Sequence, residues 1–153
     1  MGTDTMGRVT VAAKIESLGD LCMAQKGLLQ PEDVRSIEVT DARVDPGAAT
    51  LSMPKKLIEQ LGLIPFRPRV ARTTTGLATF QVYGAARLTI QGRDCHVDVI
   101  ELPDDSPVLI GHAPLMLLDF VVDPDGRCLL GNPAHGGEQI MEMYWVQPAE
   151  ARA

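Results

Sequence analysis

Three groups of side chains in this 153-residue chain could do chemistry: carboxylates at turns, three cysteines with three histidines, and a short run of arginines. The most constrained carboxylate is Asp45. It lies in Ala42-Arg43-Val44-Asp45-Pro46-Gly47-Ala48-Ala49-Thr50, where an apolar run ends at an acid, a tight turn and a crowd of small residues. Pro46 pre-sets φ for the first central position of a β-turn, and Gly47 admits the positive φ that the second can require. The expectation is an acid held rigidly at a strand end, able to give or take a proton in a fixed direction.

The other groups carry less. Cys22, Cys95 and Cys128 include no Cys-x-x-Cys pair, which argues against a disulfide scaffold. Neither Cys95 with His96 nor Cys128 with His135 has the spacing of a zinc box, so no metal is expected. Arg67, Arg69 and Arg72 read as a solvated strand face with no ligand assigned. A net charge of -6 and a pI near 5.0 exclude a dominant nucleic-acid surface, which needs clustered excess Lys and Arg. No apolar run reaches the roughly eighteen residues of a membrane span, and residues 1–6 lack a basic segment followed by an apolar one. The expectation is a soluble, cytoplasmic protein that binds neither nucleic acid nor membrane.

Composition and pattern define the elements that must position Asp45. With 45% hydrophobic and 22% charged residues, the chain suits one domain with a proper core, placed at residues 7–146 between a disordered or artificial leader (1–6) and a frayed end (147–153). Alternation predicts strands over residues 7–14 and 34–44, the second delivering the chain to Asp45; residues 15–27 fit no single pattern. A short strand over 50–53 precedes Pro54 as a helix start, with Leu57, Ile58 and Leu61 on one face and Gly62 as the stop. Residues 67–102 read as ribbons, with strands over 67–73, 78–90 and 95–102 and turns at Thr74-Thr75-Gly76 and Gln91-Gly92-Arg93-Asp94. An apolar run over 108–111 leads into helical turns over 113–118. A hairpin follows around Asp123-Pro124-Asp125-Gly126, and a last strand is expected over 139–146. The sum is mostly β with two short helices.

In this order, the elements over residues 34–130 resemble one subunit of a retroviral-type (retropepsin-like) aspartic protease. The likeness is strongest to bacterial members, in which a Val-Asp-Thr-Gly-Ala motif precedes a Leu-Pro helix start and a later apolar-apolar-Gly run precedes a second helix. The matching places are Val44-Asp45-Pro46-Gly47-Ala48, Met53-Pro54 and Leu109-Ile110-Gly111. The resemblance implies an acid-protease barrel with one lobe per chain, no cofactor, and a homodimer in which Asp45 of each subunit meets its mate on a twofold axis. It implies Asp45 as the catalytic acid, Gly47 and Ala48 beside it, and a flap between residues 73 and 83 whose Thr75, Gly76 and Leu77 meet an extended peptide.

The chain departs from that pattern at Pro46. The family has Thr or Ser there, and proline offers neither the hydroxyl nor an N–H. Two functions therefore stay open: a dimeric aspartic endopeptidase, and a catalytically silent relative that binds peptides or dimerises. Asp123-Pro124-Asp125-Gly126 echoes the Asp45 motif, but with an extra residue before its glycine it reads as a plain turn rather than a second acid. His112 is expected to serve structure at a helix start, and Tyr144 and Trp145 to pack in an interface rather than line a groove.

Overall fold

A computed structural model describes residues 8–123, 125 and 127–143. The expectations for residues 1–6 and 147–153 and for Tyr144 and Trp145 lie outside the described residues. Strand β1 (Thr10–Ser17) buries Val11, Ala13 and Ile15 on one face, as its alternation requires. It runs antiparallel to β2 (Ser36–Val44), whose end turns Ala42 and Val44 inward. Strand β3 (Leu51–Pro54) is buried throughout and lies parallel to β8 (Arg93–Leu102). Strand β9 (Leu109–Ile110) inserts between β2 and β3.

Strand β7 (Val82–Ile90) pairs with β8 along most of its length, and residues 86–89 of its inner end also pair with β1. That second pairing closes the ring β1-β2-β9-β3-β8-β7 into a six-stranded barrel, so the mostly-β expectation holds. The short β4 (Ile64–Pro65) attaches to the outer end of β7. Inside the barrel, Ile15, Leu51, Met53, Leu88, Val99 and Ile110 have no more than trace exposure, and Ile58, Leu61 and Leu118 close it from the helices.

Among the described residues there are three α-helices, where two were expected. Helix α2 (Lys55–Leu61) buries Ile58 and Leu61 and stops at Gly62, which takes the left-handed φ of 62° that glycine admits without a Cβ penalty. Pro54 is its N-cap rather than its first helical residue, and because proline has no capping side chain, Asp104 Oδ1 accepts the Lys56 N–H at 3.0 Å. Helix α3 (His112–Leu118) follows Gly111. The additional helix, α1 (Leu18–Gln25), occupies the stretch left open by the sequence pattern.

Local chemistry explains α1. Ser17 Oγ accepts the Asp20 N–H at 3.1 Å, a side-chain N-cap. The Asp20 carboxylate then accepts from Arg35 N, Nε and Nη2 at 3.0, 2.8 and 2.9 Å, pinning the helix to the segment entering β2. The guanidinium beside Asp20 holds its carboxyl below the usual range.

Two other expectations are corrected. The strand expected over 78–90 is two strands, β6 (Gly76–Phe80) and β7. They separate at Gln81, whose Nε2 donates to the Phe66 and Val82 carbonyls. Residues 139–143 form no strand, and the rest of that expected segment lies outside the described residues. The Ile140 N–H is given to Asp119 Oδ2 rather than to a ladder, and Gln139 Nε2 donates to the carbonyls of Asp94 and Leu117. The hairpin β10 (Phe120–Asp123) with β11 (Cys128–Gly131) forms where the Asp123 turn predicts it.

Candidate functional site

Asp45 stands at the exit of β2, half-exposed, with backbone bonds on both sides. Its N–H donates to the Ile110 carbonyl at 2.9 Å, and its own carbonyl accepts the Ala48 N–H at 3.0 Å, closing a β-turn with Pro46 and Gly47 at the centre. Gly47 donates its N–H to Asp45 Oδ1 at 3.0 Å, which fixes one carboxylate oxygen. Gly47 does not use the left-handed φ that it admits. The turn needs none, because an acid at the first position accepting from two residues on stabilises a turn whose central residues both keep negative φ.

The turn is joined to the segment entering α3. His112 N donates to Ala48 O at 2.7 Å and Ala113 N to Ala49 O at 3.0 Å. Close approach is possible because Gly111 has no side chain: a Cβ there would lie 2.4 Å from Thr50 O, 2.6 Å from Ala48 O and 2.8 Å from Thr50 N. The His112 side chain is exposed, and its structural contribution comes from its backbone N–H. Residues 44–50 and 109–113, distant in sequence, thus form one rigid unit around a single carboxylate.

The remaining predicted site residues lie elsewhere. Thr75, Gly76 and Leu77 sit at the tip of a separate two-stranded ribbon, β5 (Arg69–Thr73) with β6, whose side-chain bonds at the tip are internal. Thr73 Oγ1 donates to Gly76 O at 2.8 Å and accepts the Thr75 N–H at 3.3 Å. Leu77 is 70% exposed. Asp123 ends β10 opposite Cys128, in a hairpin rather than beside Asp45. Cys95 is buried, and that burial, aided by Asp94, pushes its thiol up to about 11, away from the thiolate form that a nucleophile uses.

A polar cluster unmarked by the sequence borders this unit. Pro46, His112, Leu115, Met116 and Phe120 line an open groove of about 820 Å³ together with His135 and residues 140–142. There the buried Asp119, held at a left-handed φ of 61°, accepts from His135 Nδ1 at 2.6 Å, Ile140 N at 3.0 Å and Asn132 Nδ2 at 3.2 Å. His135 Nε2 meets Glu142 Oε2 at 2.5 Å. Arg93 supports the cluster from behind, donating to the carbonyls of Leu118, Asp119 and Gly137 and lying 4.6 Å above the Phe120 ring. The only sequence signal was Asp before an apolar strand with His and Asn downstream, a pattern too common to single out.

The cluster makes stability depend on pH in both directions. Glu142 and Asp119 raise the His135 pKa, so its contribution is complete below about 6.5 and lost as pH climbs through the higher folded value. The His135 bond holds Asp119 below 3.8, so that contribution is present above 3.8 and lost as pH falls through the lowered value. Melting temperature is expected to peak between these limits. His135→Gln should flatten the alkaline side, and NMR titration of the His135 ring should give a midpoint above about 6.5 that drops in Glu142→Gln.

No family model and no curated protein matches the chain. Among solved structures it is similar to the solution structure of simian foamy virus (mac) protease, at 21% identity over 71% of this chain and 93% of that one, with a TM-score of 0.44.

Proposed function

We propose that the protein is a retropepsin-like aspartic endopeptidase that acts as a homodimer on extended peptide. The observation that carries this is Asp45, a carboxylate fixed by the Gly47 N–H on a turn bonded into the backbone of residues 110–113. Such chemistry needs two carboxylates sharing one proton, because like charges a few ångströms apart do not both ionise. One chain supplies one such acid, and a twofold copy supplies the other.

In the dimer, one Asp45 carboxylate takes a proton from the attacking water while the protonated partner donates to the scissile carbonyl oxygen. The resulting gem-diol collapses as a carboxyl group returns a proton to the leaving amine. Gly47 orients the acid through its N–H, and Ala48 leaves space behind it. The ribbon β5–β6 would close over the peptide, with Thr75, Gly76 and Leu77 at its tip. Apolar side chains beside the Pro46 groove suit the copy-to-copy contact: Met116 is 61% exposed and Met141 70%, more than an isolated subunit needs.

Pro46 favours the second reading, a silent peptide-binding or dimerisation module, since it removes the hydroxyl that in the family bonds across the axis. The turn nevertheless stays closed through Ala48 N and Asp45 N, neither of which needs that hydroxyl.

Peptide-library cleavage between about pH 3 and 7, beside sedimentation of the same sample, tests the proposal. A dimer that cuts is the expected result. A dimer that cuts nothing makes the protein a binding module, and a monomer that cuts nothing removes the shared site.

A further inference from the structure

Charge in this chain is segregated. Residues 60–93 hold five arginines and none of the chain's 20 acidic residues, although the net charge is -6. Two of the five serve the body: Arg87 pairs with Glu16 at 2.9 Å, and Arg93 binds the carbonyls described above. Arg67, Arg69 and Arg72 do not. All three are exposed, and among the described residues none of their side chains enters an ion pair or hydrogen bond.

Their placement is specific. Among the described residues strand β5 pairs only with β6, so its outer edge presents unpaired backbone N–H and C=O groups. Arg69 shares a face of the ribbon with Phe80, and Arg72 shares the opposite face with Leu77. The edge is therefore flanked by a guanidinium on each face, with Arg67 just ahead of it. Val70, 68% exposed, adds apolar surface beside Arg72.

From this juxtaposition we infer that the outer edge of β5 takes an acidic extended peptide as an added strand. Main-chain bonds to the edge would hold the segment, and its alternating side chains would place carboxylates against Arg69 on one face and Arg72 on the other. Repulsion between like guanidinium groups keeps a second copy of the same edge away. The inference deepens the proposed protease in one respect, rests on that reading only there, and names its preferred substrate class: segments rich in Asp and Glu between apolar residues.

The test uses the full chain carrying Asp45→Asn, which binds without cutting. The probes are a short fluorescent Val-rich peptide with two Glu three residues apart, which puts one carboxylate on each face of an extended strand, and its Gln-for-Glu analogue. Anisotropy is expected to show the acidic peptide binding about tenfold more tightly, the scale of a few exposed charge pairs. That preference should shrink as salt rises from about 0.1 to 1 M and the screening length falls from about 10 to 3 Å. It should disappear in Arg67→Gln/Arg69→Gln/Arg72→Gln, a surface change whose unaltered melting curve confirms a folded barrel. Equal binding of the two peptides, or a preference that survives the triple variant, overturns the inference. So does tighter binding of a single-stranded oligonucleotide of equal charge, which would make the edge a phosphate reader. An acidic preference in a protein whose wild-type form cuts no peptide upholds the edge and refutes the protease.

Discussion

Asp45→Asn is expected to lower peptide hydrolysis by about 10³-fold or more while leaving fold and dimer intact. Positioned acid–base groups typically contribute about 10²–10⁴-fold each. In a homodimer one substitution removes both carboxylates, so the loss falls at the upper end of that scale. The amide keeps an oxygen where Asp45 Oδ1 accepts the Gly47 N–H, and the backbone bonds to Ile110 and Ala48 do not involve the side chain. Thermal unfolding and sedimentation should therefore match wild type. Asp123→Asn is the control, because Asp123 lies in the β10–β11 hairpin, and its activity should be unchanged. Activity that falls in both Asp45→Asn and Asp123→Asn would place the second acid within one chain and end the dimer requirement, and activity that survives Asp45→Asn would remove Asp45 from the chemistry.

What the sequence made legible follows from how local each signal is. Alternation in β1 and β2, the helical spacing of Leu57, Ile58 and Leu61 with Gly62 behind it, and the Asp45 turn each depend on neighbours within a few residues, and each appears, although β1 lies at Thr10–Ser17, three residues later than the stretch 7–14 that its alternation marks. Helix α1 leaves no such mark in the sequence, although Ser17 and Asp20 have cap spacing, because its face buries little and gives no apolar stripe. The break at Gln81 depends on Phe66, and the failure of residues 139–143 to pair depends on Asp119, Asp94 and Leu117, partners about 15 to 45 residues away. The same holds at the site. Asp45 and Gly47 could be read from one motif, whereas the Asp119–His135–Glu142 cluster exists only once α3, the β10–β11 hairpin and the following segment converge.

Gly111 brings those scales together, and Gly111→Ala is expected to cost about 3 kcal/mol, at the upper end of overpacking effects. Its φ of -92° is open to any residue, so conformational freedom is not the reason for glycine here. Space is: the added carbon would meet three backbone atoms of Ala48 and Thr50 at 2.4–2.8 Å, and no flexible side chain is available to yield. Relief requires residues 48–50 to move away from α3, stretching His112 N to Ala48 O and Ala113 N to Ala49 O, the bonds that fix the Asp45 turn. Gly19→Ala in α1 is the matched comparison, since its Cβ would find nothing closer than Ser17 Oγ at 3.9 Å. Both substitutions remove the same unfolded-chain entropy. Gly19→Ala should thus be neutral or stabilise by up to about 1 kcal/mol, whereas Gly111→Ala should lower the melting temperature by about 10 °C. Cleavage should fall further than the loss of folded protein accounts for, because the displaced loop carries Asp45. A melting curve for Gly111→Ala that overlays wild type would show that the turn and α3 are not held together as the backbone bonds imply.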